Sequence, residues 1–279
     1  MATEASGYDN SSINSESQHF AHLVDMFAFK GRPRNLDTAN GVVVLINHGC
    51  VVGFSPARNQ PVWAAYRVSR AERDVNYARP HLFYEDLRLP PENQIRTYGF
   101  GKHQNKSYDR GHVVPNFAIN TQFGRLAQME TFFMSNICPQ FWRTNRGIWA
   151  ALEKKILLEY APQWEHIWVL AGPIFGANPY RIKRRTGVYV DIPKAFFCIL
   201  IDPIKYPHDN IKNVEILTLR IEQDAGYEKL ATKHITSIDA IEKATKLNLF
   251  PKLTKKERTK VEKQVAPDIW DSRLIRHPD

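Results

Sequence analysis

"SYDRGHVVPNF", residues 107–117, sets Asp109, Arg110, Gly111 and His112 side by side, with apolar residues close on either side. Two charges, a glycine and an imidazole are an odd choice for the edge of an apolar run unless they act there. An unperturbed imidazole is partly neutral near pH 7, so His112 can take a proton from water. Arg110 can fork onto phosphate oxygens, and Gly111 allows close backbone approach. Alone, each has an ordinary explanation: a satisfied structural histidine, or a surface ion pair worth under about 1 kcal/mol. The surrounding chain decides between them.

Downstream, "TFFMSNICPQ" (131–140) predicts a short strand carrying Ser135, Asn136 and Ile137. "TNRGIWAALEKKILLEYA" (144–161) predicts a helix, with Ile148, Ala151, Leu152 and Ile156 at helical spacing. Thr144 or Asn145 suits its cap. Glu153 follows Asn145 by two turns plus about 80°, or about 12 Å along the axis. Its helical neighbours Trp149, Ala150, Ile156 and Leu157 carry no charge, so the usual ion pair is missing. Strand, strand and helix, with a histidine on the first and an asparagine on the last, suit a small metal-dependent phosphodiesterase site. The Asn145 carbonyl is a hard ligand of the kind Mg²⁺ or Mn²⁺ takes, with waters filling the remaining positions. Glu153 can hold one of those waters.

Taken in order, DRGH (109–112), SNICPQ (135–140) and NRGIWAALE (145–153) resemble the DNA/RNA non-specific endonuclease family, which includes secreted bacterial nucleases and mitochondrial endonuclease G. The resemblance runs from about residue 40 to about 250, through VWAAYRVS (62–69), LAGPIF (170–175), VDIPKAFFCIL (190–200) and IEKATKLNLF (241–250). It implies an α+β fold with a central antiparallel sheet flanked by helices and a ββα-metal active-site motif. It also implies roles: His112 as general base, Asn145 as the protein ligand to Mg²⁺ (Mn²⁺ substituting), Arg110 on phosphate, Glu153 on the metal's water and Asn136 supporting the histidine. A transition-state arginine is expected in NYARPHLFYED (76–86), as Arg79, with Arg73 as rival. Hydrolysis leaving 5′-phosphates and a homodimer are further implications.

The totals agree with a nucleic-acid partner without demanding one. The 279 residues carry a net charge of +9, which favours a polyanion, whether nucleic acid or an anionic membrane surface. The basic loop with Arg181, Lys183, Arg184 and Arg185 is a candidate backbone contact. Trp142 and Trp149 read as core or groove walls, with base stacking the alternative. Cys50, Cys138 and Cys198 are few, odd in number and set in apolar runs, so buried thiols are expected. No apolar run reaches membrane-span length. Residues 1–29 hold no Lys or Arg, unlike a signal or transit peptide, so a cytoplasmic location is expected, with export by a non-classical route left open.

The expected organisation is a flexible segment (1–39), a nuclease domain (40–250) and a basic C-terminal helical extension (251–279) packed on it. Within the extension, Thr254 and Glu257 read as a capping box. No base-reading element is apparent, so an endonuclease cutting DNA, and RNA with it, at little sequence preference is expected. A broadly active nuclease endangers its host. A regulatory protein partner and a role as a bacterial toxin or defence effector are the matching biological expectation. The alternative is a catalytically silent nucleic-acid-binding module on the same fold.

Overall fold

A computed structural model of the chain describes residues 18–37, 41–70, 77–95, 98–163, 166–185, 187–208 and 210–271. The strands are β1 (Arg34–Asn35), β2 (Val43–Ile46), β3 (Cys50–Ser55), β4 (Gln60–Ser69), β5 (Gly101–His103), β6 (Lys106–His112) and β7 (Ile137–Phe141). They continue as β8 (His166–Ile174), β9 (Arg181–Lys183), β10 (Tyr189–Asp191), β11 (Ala195–Pro203), β12 (Val214–Glu222) and β13 (Leu247–Asn248). The helices are α1 (Gln18–Phe27), α2 (Asn116–Glu130), α3 (142–160), α4 (Ile238–Thr245) and α5 (Lys255–Val261).

Six strands form an antiparallel sheet in the order β12-β11-β8-β4-β3-β2. Both of its faces are covered, which is why β11 reads as a nearly unbroken apolar run and is buried along its whole length. Side chains alternate between two cores. Val52, Ala64, Tyr66, Val169 and Cys198 meet Ile148, Leu152 and Ile156 of α3 on one face. Val51, Trp63, Ala65, Leu170 and Phe197 meet Phe27 of α1, Ile241 of α4 and Val261 of α5 on the other. A second sheet, β5-β6-β7, carries the DRGH residues, with His112 opposite Ile137 and Asp109 opposite Gln140. A third apolar cluster lies beneath it, including Phe83, Tyr108, Phe132, Ile137, Ile182 and Val190.

This is the α+β architecture expected, with β2, β3 and β4 forming an antiparallel meander at one end of the sheet. Several local expectations change. Helix α2 stands between the two strands of the motif, where no helix was expected. Gly124 interrupts it at φ +81°, and Asn120, Thr121 and Gln128 are buried along it, so apolar periodicity is weak. Those polar groups have work inside. Asn120 Nδ2 donates to the Tyr77 carbonyl at 3.0 Å and Gln128 Nε2 donates to the same carbonyl at 3.2 Å. Together they hold the backbone that leads to Arg79.

Asn136 lies in a tight turn before β7, not in the strand itself. The basic segment is only partly a loop: Arg181 and Lys183 lie in β9, and Arg184 and Arg185 in the connection of the β9–β10 hairpin. Neither Thr144 nor Asn145 caps α3, which starts at Trp142 without a side-chain cap. At the C-terminal end the capping box forms: the Glu257 N–H donates to Thr254 Oγ1 at 3.3 Å, and the Thr254 N–H to Glu257 Oε2 at 2.8 Å. The chain then returns to the first core, where Trp270 is buried and its carbonyl accepts from Tyr160 Oη at 3.0 Å.

Candidate active site

β6 delivers His112 at its last position. Alternation along the strand puts Arg110 and His112 on the side of Phe83, and Asp109 and Gly111 on the other. The His112 ring lies 5.5 Å from the Phe83 ring and 4.9 Å from Phe132. Its Nε2 is covered and has no hydrogen-bond partner among the described residues. Burial first, then the charges of Arg79 and Arg110, push its pKa down to about 3. The imidazole is therefore neutral at pH 7, the form a base requires.

Asn136 clamps the backbone just past the histidine. Its Nδ2 donates to the carbonyls of Val114 (3.0 Å) and Thr131 (2.9 Å), and its Oδ1 accepts from the Val114 N–H at 2.9 Å. Gly111 has a packing reason: a Cβ there would sit 2.4 Å from Gln140 Oε1 and 2.5 Å from the Gln140 Cβ.

Arg79 is the neighbour these groups share. Its guanidinium lies 5.1 Å from the centre of the Phe132 ring, and Arg110's lies 3.9 Å from that of Phe83. The Arg79 charge acts on His112, on Arg110 and on Glu153. Burial pushes the Glu153 carboxyl up to about 8, opposed by the Trp149 indole N–H and by Arg79. That indole N–H is itself covered and closes no hydrogen bond of ordinary geometry among the described residues. Arg73, the rival to Arg79, lies outside the described residues.

Asn145 is tied to the other side of β6. Its Nδ2 donates to Asp109 Oδ2 at 3.0 Å, which turns its carbonyl oxygen away from that carboxylate. Arg146 grips the same carboxylate with both ends of its fork, Nε at 2.8 Å and Nη2 at 2.9 Å. Asp109 was not among the residues expected to serve the site. The signal was its place at the head of DRGH.

Between Asn145 and Glu153, α3 is not a regular helix. Gly147 (φ −98°, ψ −112°) opens it, and the Ile148 N–H donates to the Gly226 carbonyl at 2.9 Å. A count of 100° per residue therefore does not carry through this stretch.

The Asn145 carbonyl and the Glu153 carboxyl are hard oxygen donors of the kind Mg²⁺ or Mn²⁺ takes, while the Asp109 carboxylate is engaged by Asn145 and Arg146. Among the described residues no three His, Cys, Asp or Glu side chains form a metal cage.

The basic hairpin is divided in what it offers. Arg184 is buried: its Nη1 donates to the Gly99 carbonyl at 2.9 Å and its Nη2 to that of Tyr98. Arg181 donates to Asp191 Oδ1 at 3.0 Å. Lys183 and Arg185 are exposed and remain available to a substrate. The hairpin's Ile182 and Val190 share the apolar cluster with Phe83 and Phe132, so it sits on the same support as His112.

The antiparallel sheet and the strand–strand–helix arrangement around His112 and Asn145 define a ββα nuclease fold. A family model for DNA/RNA non-specific endonucleases matches residues 33–256, and the chain belongs to that family. The mitochondrial nuclease EXOG of Homo sapiens is 30% identical over 216 residues, covering 74% of this chain and 56% of that protein. The mitochondrial nuclease of Saccharomyces cerevisiae is 27% identical over 234 residues, covering 77% and 68%. The chain spans 63% of the EXOG protein of Xenopus laevis. The crystal structure of EndoG in complex with EndoGI superposes with a TM-score of 0.61 at 17% identity, over 77% of this chain and 88% of that one. Among the described residues no helix is long and apolar enough to cross a membrane.

Proposed function

We propose that the chain is a magnesium-dependent endonuclease that hydrolyses DNA and RNA phosphodiester bonds with little sequence preference and leaves 5′-phosphate ends. The observation that carries this reading is His112 Nε2: a covered, neutral, unpartnered nitrogen in a field of arginines. A polar atom in that state is costly unless a reacting group uses it.

His112 takes the proton of the attacking water at Nε2. Arg110 and Arg79 face the phosphoryl oxygens, whose negative charge offsets their mutual repulsion. Asn136 keeps the strand end, and with it the ring, in place. Asn145 and Glu153 would hold a hydrated Mg²⁺, which when bound supplies charge for the developing phosphorane and the leaving oxygen. Asp109 orients the Asn145 amide. Lys183 and Arg185 extend contact along the backbone.

Incubating the purified protein with supercoiled DNA and with RNA, across Mg²⁺, Mn²⁺ and EDTA, tests the reading. Cleavage that needs a divalent cation and falls by about 10²–10⁴ in His112→Ala is the expected result. Gel shifts without cleavage under any cation would instead establish the silent binding module.

The domain division proposed is 1–39, 40–250 and 251–279. A homodimer and a regulatory protein partner are proposed with it. The EndoG structure is, by its name, one of an inhibited complex. A toxin or defence role predicts that removing an end of the chain changes the rate, and an unchanged rate for both truncations removes it. The cytoplasmic location stands as a proposal beside the mitochondrial names of the human and yeast relatives, and subcellular fractionation separates the two.

A further inference from the structure

Beside Asn145 a run of aromatic rings that the hydrolytic chemistry leaves unused leads from the buried Tyr108 through the partly exposed Phe141 and Trp142 to the exposed Tyr227. Ring centres are 6.5 Å apart from Tyr108 to Phe141, 6.3 Å from Phe141 to Trp142 and 6.3 Å from Trp142 to Tyr227. Cations border the run. Lys106 Nζ is 5.6 Å from the Phe141 ring centre, and the Arg143 and Arg146 guanidinium carbons are 5.2 and 5.7 Å from that of Trp142. Arg146 is committed to Asp109, and Lys106 lies 3.6 Å from Asp224. Arg143 is exposed and has no carboxylate partner among the described residues.

Tyr227 comes from a distant part of the chain, the loop after β12, and is 62% exposed. Core packing does not need a tyrosine so open, yet the loop that bears it is firmly tied to the start of α3. The Phe141 N–H donates to Gln223 Oε1 at 2.9 Å, and Thr144 Oγ1 donates to the Gln223 carbonyl at 2.8 Å. The Gly226 N–H donates to Thr144 Oγ1 at 2.9 Å, and the Ile148 N–H to the Gly226 carbonyl at 2.9 Å. These bonds bracket Asn145, so Tyr227 is held against the same short segment that presents it.

We infer that Trp142, Tyr227 and Arg143 form a platform for unpaired nucleotides of the substrate strand, with bases stacking on the two rings and a phosphate meeting Arg143. The inference rests on the nuclease reading and names its substrate class. Stacking is indifferent to base identity, because every base has a π-face. In a duplex those faces are already covered by neighbouring bases, so exposed rings select unpaired ones. The net charge of +9 favours the polyanion over an apolar protein partner.

The test is binding in EDTA, read by anisotropy of a labelled oligo(dT), beside a blunt duplex of equal length. Tyr227→Ser should weaken oligo(dT) binding by about five-fold or more and leave duplex binding within about two-fold. Tyr227→Phe keeps the ring and should keep the affinity. Arg143→Ala should lower the salt slope of oligo(dT) binding by roughly 0.7, the value of one phosphate contact. Equal losses on both ligands, or a loss on neither, overturn the platform. If the wild type cleaves plasmid while Tyr227→Ser binds as it does, the platform fails and the nuclease reading stands. If no cation supports cleavage but Tyr227→Ser selectively loses oligo(dT), the nuclease reading fails alone.

Discussion

At the scale of single residues, the proposed mechanism makes opposite demands on two side chains. His112 must be neutral, and burial among Phe83, Phe132 and two arginines keeps it so. The sign follows from its low pKa. The unfolded chain takes up a proton near pH 6.5 and the folded chain only near 3, so this group's stability contribution is present above pH 6.5 and is lost as pH falls toward 3. In cation-free protein, NMR of the His112 ring should show the neutral form throughout pH 5–8. The same proposal has Asn145 present its oxygen rather than its NH₂, the orientation that Asp109 favours by accepting from Nδ2. Asp109→Asn can donate where the carboxylate only accepts, so the Asn145 amide loses its enforced orientation. Cation affinity or turnover should fall by about 10–100-fold, read from rate against Mg²⁺ concentration.

At the scale of elements, the break in α3 joins the motif to the main sheet. Gly147 meets Gly226 backbone to backbone, and a Cβ on Gly147 would lie 2.3 Å from the Gly226 carbonyl oxygen. Backbone cannot swing aside as a flexible side chain can. Gly147→Ala should therefore cost about 1–3 kcal/mol in a denaturant melt. Because Asn145 lies two residues away, its turnover should drop at temperatures where the variant is still folded. Helix α2 does a similar job by different means. Its buried Asn120 and Gln128 hold the 77–78 backbone, and through it Arg79, to the body of the protein.

At the scale of the whole molecule, the six-stranded sheet separates two populations of helices. α3 and the active-site strands lie on one face, and α1, α4 and α5 on the other, so these three helices stabilise the sheet from behind the site while Trp270 packs with α3 in front. That rear layer has its own pH dependence. The Glu242 carboxyl, half-buried on α4 beside Glu262 with Arg258 in opposition, is pushed up to about 7. A raised carboxyl contributes stability that is full below its ordinary value of 4.5 and lost as pH rises through 7. The melting temperature should therefore decline from pH 5 to pH 8. Glu242→Gln should melt higher than wild type at pH 8 and close to it at pH 5, with the catalytic face untouched.

Much of this was readable in the linear chain. The apolar runs of β3, β4, β8 and β11 declared the sheet, because strands buried on both faces must be apolar nearly throughout. DRGH, Asn145 and Glu153 declared the family, because few other combinations hold those residues in that order and spacing, and the chemistry proposed here is built on them. What stayed hidden was whatever rests on a partner distant in sequence. α2 hides its face because the groups it buries are amides satisfied by residues 77–78. Arg184 looks like a phosphate contact until its carbonyl partners at 98 and 99 are in place. Asp109 became a positioning group, and Tyr227 a neighbour of Trp142, only when strand pairing and the Gly147–Gly226 contact brought together segments 36 and 85 residues apart. Local sequence carries propensity and chemistry. Which side chain meets which is decided by packing, since each contact depends on all the others being made.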